Sequence, residues 1–153
     1  MTRPSALDQL VDDFATIRSW AETSRGLETP EIDTINAIIG DGTNVITAGV
    51  KAALRVDFNC NIVGSYLHEF DGVTGSIQLV YATTTYVVGS APTYTTITGS
   101  APPMISSARY AEDITLTGWT TQLTRGTVLR LSVVSATALT RILATLRIRR
   151  LEP

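Results

Sequence analysis

The residues best suited to chemistry stand together at His68-Glu69-x-Asp71, where one imidazole is followed by two carboxylates. His68 is the only histidine, so any Ser-His-Asp or Cys-His arrangement has to use it. No nucleophile motif accompanies it. The cluster also ends a strand-like run at the turn containing Gly72, where such side chains are ordinarily solvated, so catalysis is not expected there. As a metal site, one imidazole and two carboxylates in a loop would work only if subunits around a symmetry axis pooled their ligands. The lone Cys60 excludes an internal disulfide framework and any multi-cysteine metal site, and within a strand-like run it reads as a small buried apolar residue. Gly40-Asp41-Gly42 is a turn without the remaining glycines and following helix of a phosphate loop. Arg147, Arg149 and Arg150 carry enough charge to touch phosphate, but no aromatics are interleaved with them. A solvated strand face or an acidic neighbour is the expected setting. The expectation is a protein with no catalytic residues, no metal and no cofactor.

The chain that must position these residues has 153 residues, enough for one domain with a short appendage. Its net charge of -2 gives no reason to expect nucleic acid as a partner. The charge is unevenly placed: residues 1–45 hold eight acidic and three basic side chains, and residues 46–153 hold six and nine. Met1 to Ala6 leads into an amphipathic segment and not an apolar core of the signal-peptide kind, so folding in a cytoplasm is expected. From Gly72 to Ala108 there is no Asp, Glu, Lys, Arg or His, yet Thr, Ser, Tyr and Val are dense. That segment is too polar to insert into a membrane and too β-prone to be a linker. A neutral strand face invites pairing with another chain because nothing on it repels a neighbour, although a solvated Thr/Ser-rich face is the plain alternative.

Ser5 to Ser24 predicts a helix. Ser5 can cap it, and Asp8 and Asp12 favour the positive end of the helix dipole. Leu7, Leu10, Phe14 and Ile17 recur at spacings of three and four, and Val11 and Trp20 widen the stripe. So short a helix is marginal alone, so its apolar stripe is expected to pack on its own domain, bundle with copies of itself, or dock on another protein. Thr29-Pro30-Glu31 resembles a second helix start, with Ile32, Ile35, Ile38 and Ile39 as its apolar face; an extended arm is equally compatible. Residues 1–44 are thus read as a helix and arm for assembly or anchoring.

From Val45 onward the period falls to two. Leu54, Val56 and Phe58 alternate with polar residues, then Ile62, Gly64 and Tyr66, then Ile77, Leu79 and Tyr81, then Leu129, Leu131 and Val133. In the last strand Ile142, Ala144, Leu146 and Ile148 share one face. About eight short strands, punctuated by Gly and Pro and with no helical pattern between them, predict an antiparallel β-sandwich or jelly roll over residues 45–150. Gly89-Ser90-Ala91-Pro92 recurs as Gly99-Ser100-Ala101-Pro102, which reads as two similar turns bracketing a strand.

The order of motifs resembles a small β domain of tailed-bacteriophage structural proteins. The likeness runs through Gly40-Asp41-Gly42, Val45 to Lys51, Leu54 to Gly64, Gly75-Ser76-Ile77, Ile97 to Ala101, Pro103 with Ile105 to Ala108, Leu116 to Thr121, Gly126 with Val128-Leu129, and Val133 to Arg141. It covers residues 40–148. The resemblance implies a jelly-roll module, usually trimeric, on the virion surface or at a fibre end. Two departures stand out: Ser65-Tyr66 where the family commonly has Trp, and Gln78 to Tyr81 with a Thr-rich run where it has a Trp-Lys strand and a Pro-rich loop. Two functions follow as expectations. One is a capsid decoration or head-fibre protein, a homotrimer held to the major capsid protein or another virion protein through its N-terminal segment. The other is a tail-fibre or tail-tip protein recognising a host-surface glycan, with Tyr86, Tyr94 and Tyr110 either stacking on sugar rings or packing within strands.

Overall fold

The computed structural model describes residues 31–151. Ten strands run through them: β1 (Ile32–Gly40), β2 (Gly49–Arg55), β3 (Cys60–Glu69), β4 (Gly75–Thr85), β5 (Thr95–Thr96), β6 (Met104–Ala108), β7 (Tyr110–Asp113), β8 (Gln122–Leu123), β9 (Thr127–Thr137) and β10 (Arg141–Arg150). They form two antiparallel sheets. Sheet A has the order β1-β10-β3-β7 with β8 beside β3, and sheet B has the order β2-β9-β4-β5 with β6 beside β4. Among the described residues there is no helix.

Alternation explains why these segments pair. In β10, Ile142, Ala144, Leu146 and Ile148 are all buried, as their spacing predicts. They meet Ile77, Leu79 and Tyr81 of β4 and Leu129, Leu131 and Val133 of β9 in one core that also takes in Cys60, Ile62, Leu67 and Trp119. The Trp119 ring tilts against Tyr81 and its indole N–H donates to the Ala101 carbonyl at 2.8 Å, so its one polar atom is satisfied at the core margin.

Residues 32–40 decide one open choice and correct one boundary. Of helix and extended arm they take the extended form, and β1 pairs with β10 from Ile32↔Arg149 to Gly40↔Arg141. Ile35, Ala37 and Ile39 face inward and Ile32 and Ile38 face out, so period two wins over the helical start suggested by Pro30. The β domain therefore begins at Ile32 and not at residue 45. Ile39 is buried in the core and Ile35 packs half-buried against it, whereas Ile32 and Ile38 are exposed. The predicted helix, with Leu7, Leu10, Val11, Phe14, Ile17 and Trp20, lies outside the described residues.

The turn after β1 requires glycine. Gly40 has φ +92°, and a Cβ there would lie 2.1 Å from the Thr140 carbonyl oxygen.

A bulge in β3 matters more for function. Arg147 pairs with Gly64 but Ile148 pairs with Ile62, so Val63 is an extra residue. One extra residue reverses the alternation beyond it. Ile62 faces the core, whereas Gly64, Tyr66 and His68 share the outer face and Ser65, Leu67 and Glu69 turn inward. The sequence pattern had placed Ile62, Gly64 and Tyr66 together.

Candidate functional site

The His-Glu-x-Asp cluster comes apart in space. Glu69 is fully buried and accepts the Gly72 N–H at 3.0 Å, the Arg109 Nε–H at 3.0 Å and the Asp71 N–H. Asp71 is ion-paired with Arg141 and accepts the Thr140 hydroxyl at 3.1 Å. These carboxylates tie the β3–β4 turn to the β6–β7 corner and to the start of β10. Burial pushes the Glu69 carboxyl up, but the Val73 N–H, the Arg109 guanidinium and the Asp71 N–H together hold it below its ordinary value. His68 points to the opposite face of β3 from Glu69, which separates the imidazole from that buried carboxylate. The expected solvated cluster is instead a partly buried clamp. Among the described residues no group of three His, Cys, Asp or Glu is placed to hold a metal ion.

The outer face of sheet A is a grid read off the strand registers. One row crosses four strands as Ile38, Leu143, His68 and Tyr110. The next is Asn36, Thr145, Tyr66 and Glu112. The third is Thr34, Arg147 and Gly64. Ile38 is 68% exposed and Tyr110 49%, so the first row is open apolar and aromatic surface. Rings gather along β3: His68 lies edge-on to Phe70 at 5.9 Å and to Tyr110 at 6.3 Å. The Tyr110 hydroxyl donates to Glu112 at 2.7 Å, and that bond, with burial and the Glu112 charge following, raises its pKa.

The tip of the Tyr66 ring covers Gly64. A Cβ at position 64 would meet the Tyr66 ring at 3.0 Å and its hydroxyl oxygen at 3.1 Å, so the ring occupies the space a side chain would take. Arg147, the cross-strand partner of Gly64, stands beside that ring. The Thr145 hydroxyl donates to Asn36 Oδ1 at 2.7 Å, and Asn36 Nδ2 donates to Thr34 Oγ1 at 3.0 Å, which fixes the amide orientation in the second row. The sequence shows no aromatic interleaved with the C-terminal arginines, yet the fold supplies one from β3.

The outer face of sheet B differs. Val50, Ser132 and Val80 form one row, and Ala53, Arg130, Ala82 and Thr96 another. Exposed Val134 is the extra residue of a β9 bulge, and exposed Met104 pairs with Gln78. The uncharged stretch supplies β4, β5 and β6, all in this sheet. Tyr94 is already used: the Arg130 guanidinium sits 3.8 Å from its ring centre. Tyr86 is exposed in the loop after β4, beside exposed Val87 and Val88. Tyr86, Tyr94 and Tyr110 are therefore not one site: the first two flank sheet B and the third is on sheet A. A hydroxyl-rich cavity of about 340 Å³, lined largely by threonines including Thr83, Thr95 and Thr127, opens at the end of β4.

No protein-family model matches the chain, and neither a curated protein nor a solved structure matches it.

Proposed function

We propose that the chain is a non-enzymatic structural subunit of a bacteriophage virion, a capsid decoration or head-fibre protein whose jelly-roll domain trimerises and stands exposed on the particle. The observation that carries this is the outer face of sheet B. The strands of that sheet hold only Lys51, Arg55 and Arg130 as charged residues, and each is engaged, with Thr47, Asp57 and Tyr94 respectively. Exposed Val50, Val134 and Met104 project from the same face with nothing charged between them to oppose a neighbour.

The strands of sheet B total 36 residues. At about 3.3 Å per residue and about 4.8 Å between strands, their outer face spans on the order of 570 Å². A stable interface needs about 800 Å² per partner, so the flanking loops have to add contact to it. Burying the apolar part contributes at roughly 25 cal/mol per Å².

The strand order supports the jelly-roll form. The order β1-β10-β3-β7 stands in one sheet and β2-β9-β4-β5, with β6 also beside β4, in the other, and each step from β1 to β4 and from β9 to β10 crosses between the sheets. The trimer and the virion setting come from the motif order. A trimeric mass by light scattering at micromolar concentration, and capsid-wide labelling of purified particles by antibody electron microscopy, are the expected results. A monomeric mass counts decisively against the assembly, and label confined to the tail end counts against decoration.

A second reading, host-surface glycan recognition by a tail-tip protein, is favoured by a different observation: the exposed rings of His68, Phe70 and Tyr110 and the half-buried ring of Tyr66 collect on the outer face of sheet A.

A further inference from the structure

We propose that the outer face of sheet A is a binding site for an acidic glycan, the sugar ring stacking on Tyr66 and its carboxylate held by Arg147 and Arg149. The proposal rests on the second reading above and goes further by naming the charge of the ligand.

The argument starts from how the arginines of β10 are used. Arg141 is paired with Asp71 and Arg150 with Asp33, the latter at 2.7 Å. Arg147 and Arg149 are exposed, and among the described residues neither makes an ion pair or a side-chain hydrogen bond. The two unneutralised guanidiniums are thus those on the ringed face. They stand two residues apart on one strand, about 7 Å from each other, which suits a shared or bridging anion. A guanidinium offers a planar fork that matches a carboxylate.

Next to that charge lies an aromatic surface. Because Gly64 has no side chain, the tip of the Tyr66 ring reaches over it, and Arg147 is the cross-strand partner of that glycine. A pyranose presents a C–H face to such a ring and hydroxyls around its rim. The second row supplies partners for those hydroxyls in the Asn36 amide, the Thr145 hydroxyl and the Glu112 carboxylate. Ring, amide and guanidinium lie on three adjoining strands and within two residues along them, which is the footprint of one or two sugar units.

Charge selects the glycan over a nucleic acid. Affinity for a polyphosphate scales with the number of phosphates neutralised, and two guanidiniums beside a carboxylate in a chain of net charge -2 neutralise few. One carboxylate per sugar repeat needs no more than two.

The test uses the full chain, titrated with oligogalacturonate, the methyl ester of the same oligomer, sialyllactose, lactose and a ten-residue deoxythymidine oligomer. The acidic saccharides are expected to bind at least about tenfold more tightly than their neutral counterparts, with weaker binding as salt is raised. The doubly exposed change R147Q/R149Q should abolish that difference without shifting the melting temperature, whereas Arg55→Gln on sheet B should leave it intact. Gly64→Ala, which forces the Tyr66 ring up, should weaken every saccharide. Equal binding of acid and ester overturns the proposal and leaves glycan recognition standing. Binding by none of the saccharides removes both, and tighter binding of the deoxythymidine oligomer overturns the proposal in favour of a nucleic-acid surface.

Discussion

The two sheets bury equivalent inner faces and present opposite outer ones. Sheet A strands carry eight charged residues, Asp33, Glu69, Glu112, Asp113, Arg141, Arg147, Arg149 and Arg150, whereas sheet B strands carry Lys51, Arg55 and Arg130 alone. Both sheets have the same pleat and the same core, so burial does not set the difference. Half of it comes from the outward positions, which hold Glu112, Arg141, Arg147 and Arg149, and half from Asp33, Glu69, Asp113 and Arg150 on the inward parity, which are held by hydrogen bonds and ion pairs. On sheet A the outward positions hold rings beside unpaired guanidiniums; on sheet B they hold Val, Ala, Ser and Thr. A surface kept free of acid is suited to meeting a copy of itself, and one that concentrates aromatic area and cation is suited to a soluble anionic ligand.

The largest effect should come from a change beneath both faces. Leu146 is fully buried in β10, and Leu146→Ala removes its contacts with both layers. A loss of about 2–5 kcal/mol is expected by denaturant unfolding, with saccharide binding and assembly failing together. If the assembly survives once the fold is lost, the two faces are not built on one core.

Next in size is a change confined to one face. Val80→Glu places a carboxylate in the row with Val50 and Ser132 and should convert the proposed trimer to monomer by light scattering, while the unfolding midpoint at high dilution stays near that of the unaltered chain. The matching change on sheet A, Thr145→Glu, should leave the oligomer whole.

Acid should separate the sheets more gently. Asp33, Asp113 and Glu69 lie in sheet A and all have lowered pKa values: Asp33 chiefly through the Thr34 N–H and then Arg150, Asp113 chiefly through the Leu116 N–H, and Glu69 against its own burial through Val73 and Arg109. Asp41, in the loop after β1, is held at about 2 by the Asn44 N–H, the Asn44 amide and the Thr43 N–H. A carboxyl whose folded pKa lies below its unfolded one binds fewer protons when folded. Its stabilisation is complete above the unfolded value, 3.8 for the aspartates and 4.5 for Glu69, and is lost as pH falls through the lower folded value, which for Asp41 is about 2. Sheet B strands contain no carboxylate. Amide exchange in β1 and β7 should therefore quicken before exchange in β4 and β9 over that window. Simultaneous loss in both sheets would show that the pairs hold the whole sandwich and not one layer.

The inner faces were legible in the sequence and the outer ones only in part. Ile142 to Ile148 alternate without interruption, so β10 could be read directly. β1 could not, because four isoleucines within eight residues after a proline fit a helix start as well as an edge strand, and only the pairing with β10 decides. Tyr66 reads on the wrong face because the one mark of the bulge at Val63 is the adjacent Gly64, which also fits an unbroken alternation. Glu69 and Asp71 read as solvated since their partners, Arg109 and Arg141, lie far along the chain. The Tyr66–Arg147 neighbourhood was invisible for the same reason. The scarcity of charge from Gly72 to Ala108 was legible at once, and it marks the strands that make sheet B distinctive.

Hydroxyl-radical footprinting over a dilution series tests the division of labour most directly. Met104 and Tyr110 are comparably exposed on the single chain, and they report on sheet B and sheet A respectively. The expected result is that oxidation of Met104 falls as concentration drives assembly while oxidation of Tyr110 holds constant. Protection of Tyr110 with Met104 still open, or of neither, would contradict it.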